Sequence, residues 1–135
     1  MKELKLIVAG SRGWADYDTL KVHLNEILAD LYIDNPFEVV TIVSGTAKGA
    51  DQLGERFAEE YNYLVQKFPA DWKKEGKKAG VLRNIQMAKV ADACVVFWDG
   101  ESKGTKHMIE AAKQHNLTLY VVQPKEVYDG KQYKT

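Results

Sequence analysis

The chain is short of the features that would tie it to several large functional classes. It has one cysteine, Cys94, in 135 residues, so no internal disulfide can form and a reducing, cytoplasmic setting is expected. Cys94 lies inside an apolar run, where a thiol acts as a small core residue rather than a nucleophile. No apolar run approaches the roughly 18 residues that a membrane span needs, and no charged-then-apolar leader opens the chain. A soluble, unexported protein without a membrane partner is expected. Lys+Arg and Asp+Glu each number 19, so the whole molecule has no charge to draw it toward nucleic acid. Nucleic acid therefore ranks low among expected partners. No group of His, Cys, Asp and Glu has metal-ligand spacing. Neither a metal nor a cofactor is expected.

What is present is ordinary for one globular domain: 45% apolar and 28% charged residues. The charge is unevenly spread. Residues 71–90 hold five lysines and Arg83 against Asp71 and Glu75, whereas residues 16–38 lean acidic. A basic segment is ordinarily a solvated face, and it is also suited to receiving phosphates.

Short apolar runs alternate with helical patterns. LKLIVAG (4–10), VVTIVSG (39–45), YLVQKF (63–68), DACVVFW (92–98) and LTLYVVQ (117–123) read as strands, the third and fifth stopped by Pro69 and Pro124. Between them, Leu20, Leu24, Ile27, Leu28 and Leu31 form one helical stripe, with Asp16 or Asp18 as its N-cap. Ala50, Leu53, Phe57 and Tyr61 form a second. A third helix spans about 77–91 with Leu82, Ile85 and Ala88 inward, and a fourth spans about 104–116. The pattern predicts an α/β fold: a Rossmann-like, doubly wound, five-stranded, mainly parallel sheet with helices on both faces. Residues 1–123 form the single domain, and 124–135 a polar C-terminal tail.

In such a sheet, ligands bind beyond the carboxyl ends of the strands, near the point where strand order reverses. The loops that fall there are GSRGW (10–14), SGTAKGAD (44–51), PADWKKEGKK (69–78) and DGESKGTKH (99–107). Glycine-rich, small-residue turns that open helices have the composition of phosphate cradles. That assigns Gly10, Ser11, Ser44, Gly45, Thr46, Lys48, Gly49, Gly100, Ser102, Gly104 and Thr105 to a candidate anion site. Each loop taken singly is equally a plain strand-to-helix turn. None matches GxGxxG or the triphosphate P-loop. Arg12 and Arg83 offer forked donors for phosphate, with Asn84 beside Arg83; Trp14 and Trp72, ahead of Trp98, offer faces for a nucleobase. Asp51 either binds a ribose hydroxyl or caps the helix that follows.

The segments VAGSR (8–12), IVSGTAKGAD (42–51), RNIQM (83–87) and DACVVFWDGESKGTKHMIEAA (92–112) together resemble the SLOG superfamily, nearest its YspA/cpYpsA-related branch. A more distant similarity runs to the Rossmann domain of the DNA-processing protein DprA. The resemblance implies a nucleotide-binding site at these loops and assembly into a homo-oligomer. The superfamily also includes LOG phosphoribohydrolases, whose PGGxGTxxE loop carries a catalytic glutamate. Met108 occupies that position here. If the chain is an enzyme, Asp99 or Glu101 would have to supply the acid/base group.

Three functions follow as expectations. The first is a module that binds or senses a small nucleotide-derived ligand. The second is an N-glycosidase or phosphoribohydrolase, and the third a single-stranded nucleic-acid binder.

Overall fold

A computed structural model of the protein describes residues 2–124. The tail expected at 124–135 lies, apart from Pro124, outside the described residues. Five strands form one sheet: β1 (Glu3–Gly10), β2 (Val39–Ser44), β3 (Leu64–Lys67), β4 (Ala93–Phe97) and β5 (Thr118–Val122). Their order is β3-β2-β1-β4-β5, and every pairing is parallel. The fold is therefore the expected Rossmann-like α/β arrangement, with the sheet wholly rather than mainly parallel. The strand order reverses beside β1, which pairs with β2 on one side and β4 on the other.

Alternation along β1 builds two cores, because successive side chains of a strand point to opposite faces. Leu6 and Val8 face helices α1 (Tyr17–Asp34) and α2 (Ala50–Tyr61), in a cluster with Leu20, Leu24, Phe57 and Phe97. Ile7 and Ala9 face α4 (Ala79–Val90) and α5 (Lys103–Gln114), with Met87, Cys94, Val96 and Met108. The stripe Leu20, Leu24, Ile27, Leu28, Leu31 is buried as the periodicity predicts. Asp16 is the N-cap of α1; its carboxylate accepts from the Thr19 N–H at 3.0 Å.

Three expectations need correction. The 69–78 stretch is not a plain loop: it contains the short helix α3 (Trp72–Glu75) and a 3-10 turn at Gly76–Lys78, the first capped by Asp71. Leu82 does not point inward. It is exposed, Ile85 is half-buried, and Ala79, Asn84, Met87 and Ala88 form the inward face of α4. β3 is an edge strand with Leu64 and Val65 exposed, so its apolar run does not mark burial on both faces.

Candidate functional site

A cavity of about 520 Å³ opens at the carboxyl edge of the sheet, beside the point of strand reversal and on the α4/α5 side. Its deepest lining is apolar, from the buried Ala9, Met87 and Met108. Around that base stand Arg12, Asp51, Arg83, Asn84 and Asp99, then Trp72, Lys77, Gly80 and Val81, and finally the start of α5 from Ser102 to Thr105.

Arg83 is set by its neighbours. Its Nη1 donates to the Gly45 carbonyl, and its Nε donates to Asn84 Oδ1 at 3.0 Å. Asn84, itself buried, donates through Nδ2 to the Gly104 carbonyl at 3.3 Å and lies 3.1 Å from His107 Nδ1. One asparagine thus ties the arginine of α4 to the first turn of α5. Burial pushes the Arg83 pKa down, the Asp51 carboxylate offsets this, and the charge of Arg12 pushes it further down. Two guanidinium groups therefore face the same space, an arrangement that a bound anion would relieve. Arg12 is exposed and forms no ion pair or hydrogen bond among the described residues.

Asp51 is neither the cap of α2 nor a surface residue. The cap is Gly49, which makes no side-chain bond; Asp51 sits in the first turn, 5% exposed, on the cavity wall. Its Oδ2 accepts from the Ala47 N–H at 3.2 Å, and the Gly10 N–H also favours its charged form. Burial pushes its pKa up to about 6, against the lowering effects of those two N–H groups and of Arg83.

The loop 44–49 is not the open cradle that its composition suggests. Thr46 N–H donates to Ser44 Oγ, Ala47 N–H to Asp51, and Ala50 N–H to the Ser11 carbonyl. Ser44, fully buried, donates its hydroxyl to Glu55 at 2.6 Å. Gly49 is small for another reason. A Cβ there would sit 2.3 Å from the Ser11 carbonyl oxygen and 2.5 Å from that of Arg12. Ser44, Gly45, Thr46, Lys48 and Gly49 shape this corner without lining the cavity.

Other candidates make structural contacts. Ser11 is buried and joins two loops: its N–H donates to the Phe97 carbonyl at 2.9 Å, and its Oγ accepts from the Asp99 N–H at 3.0 Å. The Trp14 ring packs on Phe97 at 5.3 Å between centroids, in the core on the α1/α2 side, away from the cavity. Trp98 packs in the opposite core and donates Nε1 to the Ser102 carbonyl. Of the tryptophans, Trp72 lines the cavity; its indole is 53% exposed and packs beside Gly80. Asp99 lines the cavity, yet its Oδ1 already accepts from the Glu101 and Ser102 N–H groups, both at 2.8 Å. Those bonds hold its pKa below the ordinary carboxylate value, which suits a turn former and not a proton donor at neutral pH. Glu101 and Gly100 lie outside the cavity lining, and the position of the LOG glutamate is filled by the buried, apolar Met108.

Ser102 caps α5, its Oγ accepting from the Thr105 N–H and hydroxyl. Gly104, next to it, lines the cavity with open space where a Cβ would be. The lining also includes residues that sequence reasoning did not single out as contacts: Ala9, Gly80, Val81 and Met87, and, within the loops it placed at this edge, Gly13, Ala47, Lys77 and Lys103. A helical signal for part of this set exists: Gly80, Arg83–Asn84 and Met87 fall on one face of α4 at spacings of three to four.

No group of three or more His, Cys, Asp or Glu among the described residues is arranged to hold a metal ion. No helix among them is long and apolar enough to cross a membrane.

The comparisons with known proteins agree with this architecture. The chain is similar over 97% of its length to a structure of DNA processing protein A from Helicobacter pylori, with a TM-score of 0.57 and 16% identity, covering 69% of that chain. That neighbour is described for its single-stranded DNA binding mode. The chain is also 39% identical over 121 residues to the Gene 61 protein of Mycobacterium phage D29, spanning 85% of this chain and 93% of that protein. Residues 4–74 match the model of the YspA, cpYpsA-related SLOG family, and with these likenesses together the chain belongs to that family.

Proposed function

We propose that the cavity binds a nucleotide or nucleotide derivative and that the protein is a binding or sensing module. One juxtaposition carries this reading: the Arg12 and Arg83 guanidiniums and the start of α5 stand around a cavity that also exposes the Trp72 indole. Cations and helix N–H groups suit a phosphate, and an indole face suits a base. The apolar Met108 at the LOG glutamate position and the preoccupied Asp99 argue against the N-glycosidase alternative. A homo-oligomer, implied by the resemblance, belongs to the same proposal, and light scattering at the 15.3 kDa mass of one chain would refute it.

The test is a thermal-shift panel of mononucleotides, dinucleotides and nucleotide sugars. A ligand at 100 times its dissociation constant adds about 2.7 kcal/mol, or roughly 9 °C for a domain of this size. A panel without any shift would refute the reading.

A second reading, single-stranded nucleic acid, is favoured by the likeness to DNA processing protein A and by Lys73, Lys74, Lys77 and Lys78 flanking Trp72. Fluorescence anisotropy with a labelled oligonucleotide separates the two. Tight, strongly salt-dependent binding that mononucleotides do not compete for would favour the strand.

A further inference from the structure

The chemistry of Asp51 goes beyond that reading and rests on it. Several groups that favour an anion here already act on this one carboxylate. The Ala47 N–H bonds to it, the Gly10 N–H favours its charged form, and Arg83 faces it across Gly45. A Cβ on Gly45 would lie 2.6 Å from Arg83 Nη1 and 2.8 Å from Asp51 Oδ2, so the two charges confront each other over that glycine. Asp51 borders the cavity while remaining 5% exposed. An ionised Asp51 is thus the resident anion of the site and repels an incoming one.

We propose that Asp51 is the specificity-determining residue that couples anion binding to proton uptake: the site takes a phosphate-class dianion together with one proton, held on the Asp51 carboxyl. The groups around Asp51 are consistent with its being the titrating partner. Glu55, on the same helix, adds negative charge and favours protonation; Arg83 of α4 opposes it. Arg12, on the loop after β1, is a second guanidinium lining the cavity. The Cys94 thiol of β4 is pushed up by burial and stays protonated. His107 on α5 lines the cavity and is the necessary control. With the folded pKa of Asp51 near 6, an anion that raises it further binds more tightly as pH falls through that value.

The probe is inorganic sulfate, dianionic throughout, titrated calorimetrically at constant ionic strength at about pH 5.5 and 7.5. Removing one unit charge from the wall of a partly solvated site is expected to tighten binding about tenfold at the lower pH. Asp51→Asn should bind sulfate equally at both values and as tightly as wild type does in acid. His107→Gln should keep the wild-type dependence. Should Asp51→Asn fold poorly, wild-type titrations near pH 6.5 in two buffers of different ionisation enthalpy give the proton count directly; uptake is expected. No uptake, or a dependence lost in His107→Gln and kept in Asp51→Asn, overturns the assignment. Nucleotide binding that is insensitive to pH overturns this inference alone, whereas silence toward sulfate and every nucleotide overturns the proposed function with it.

Discussion

Replacing Gly49 with alanine tests the central claim about the glycine-rich corner, which is that its smallness serves chain packing. Gly49 has φ +82° and ψ −129°, a conformation that costs an L residue about 1–3 kcal/mol. The added Cβ would also press on three backbone atoms, the Ser11 and Arg12 carbonyl oxygens and the Arg12 carbonyl carbon, none farther than 2.6 Å. Backbone cannot rotate away as a flexible side chain can. The Ser11 carbonyl accepts from the N–H groups of Trp14 and Ala50, so displacing it weakens two hydrogen bonds worth about 0.5–1.5 kcal/mol each. Together these give about 4 kcal/mol, a large share of the stability of a domain this size. The melting temperature should fall by roughly 14 °C. Gly104→Ala supplies the contrast. Its Cβ would meet nothing within 4 Å, and alanine is the better helix former by about 1 kcal/mol. It should leave stability equal or higher while weakening nucleotide binding, because the methyl enters the cavity. Urea unfolding followed by circular dichroism, with thermal melts, reads both. A Gly49→Ala protein within about 1 kcal/mol of wild type would refute the packing argument. If that variant also lost the ligand, the corner would be an anion cradle after all.

The two arginines should separate. Arg12→Ala is expected to weaken the ligand by about 1.5–3 kcal/mol at unchanged stability, whereas Arg83→Ala also destabilises by stripping the Gly45 carbonyl and Asn84 of their donor; equal melting temperatures for both variants would contradict this. Asp51 should leave a mark on stability against pH. Its folded pKa of about 6 lies above the unfolded value, so its contribution is intact below about pH 4 and is lost as pH rises through 6. Wild type should therefore lose about 3 kcal/mol relative to Asp51→Asn between pH 4 and 7, measured by urea midpoints. A constant gap would show that the carboxyl is not perturbed.

The alternation of apolar runs with helical stripes located all five strands, because burial on two faces leaves β4 and the Leu6–Gly10 part of β1 continuously apolar. The same signal misled at β3, where Leu64 and Val65 sit on an edge strand, since composition carries no information on which strands end a sheet. Leu82 misled similarly: hydrophobicity favoured it for the core, but the inward face of α4 instead carries Asn84, held by bonds to α5. At the site, the residues that the strand-end rule gathered include Arg12, Asp51, Trp72, Arg83 and Gly104, which line one cavity. It failed to distinguish residues that face the cavity from those that brace it. Ser11, Ser44 and Gly49 have the composition of ligand contacts, yet their roles are set by partners distant in sequence: Asp99, Glu55 and the backbone of the β1 loop.

Ser11 has a consequence for motion. Its N–H, carbonyl and hydroxyl join it to Phe97, to Trp14 and Ala50, and to Asp99, so one buried residue pins the loops after β1 and β4 and the start of α2. None of those segments can lift from the sheet edge without breaking bonds to the same residue. Their amide protons should then exchange with solvent through a common opening, at similar free energies and slowed together when the cavity is filled. Access to the cavity would be governed by the lifetime of a single closed state rather than by independent fluctuations of three loops.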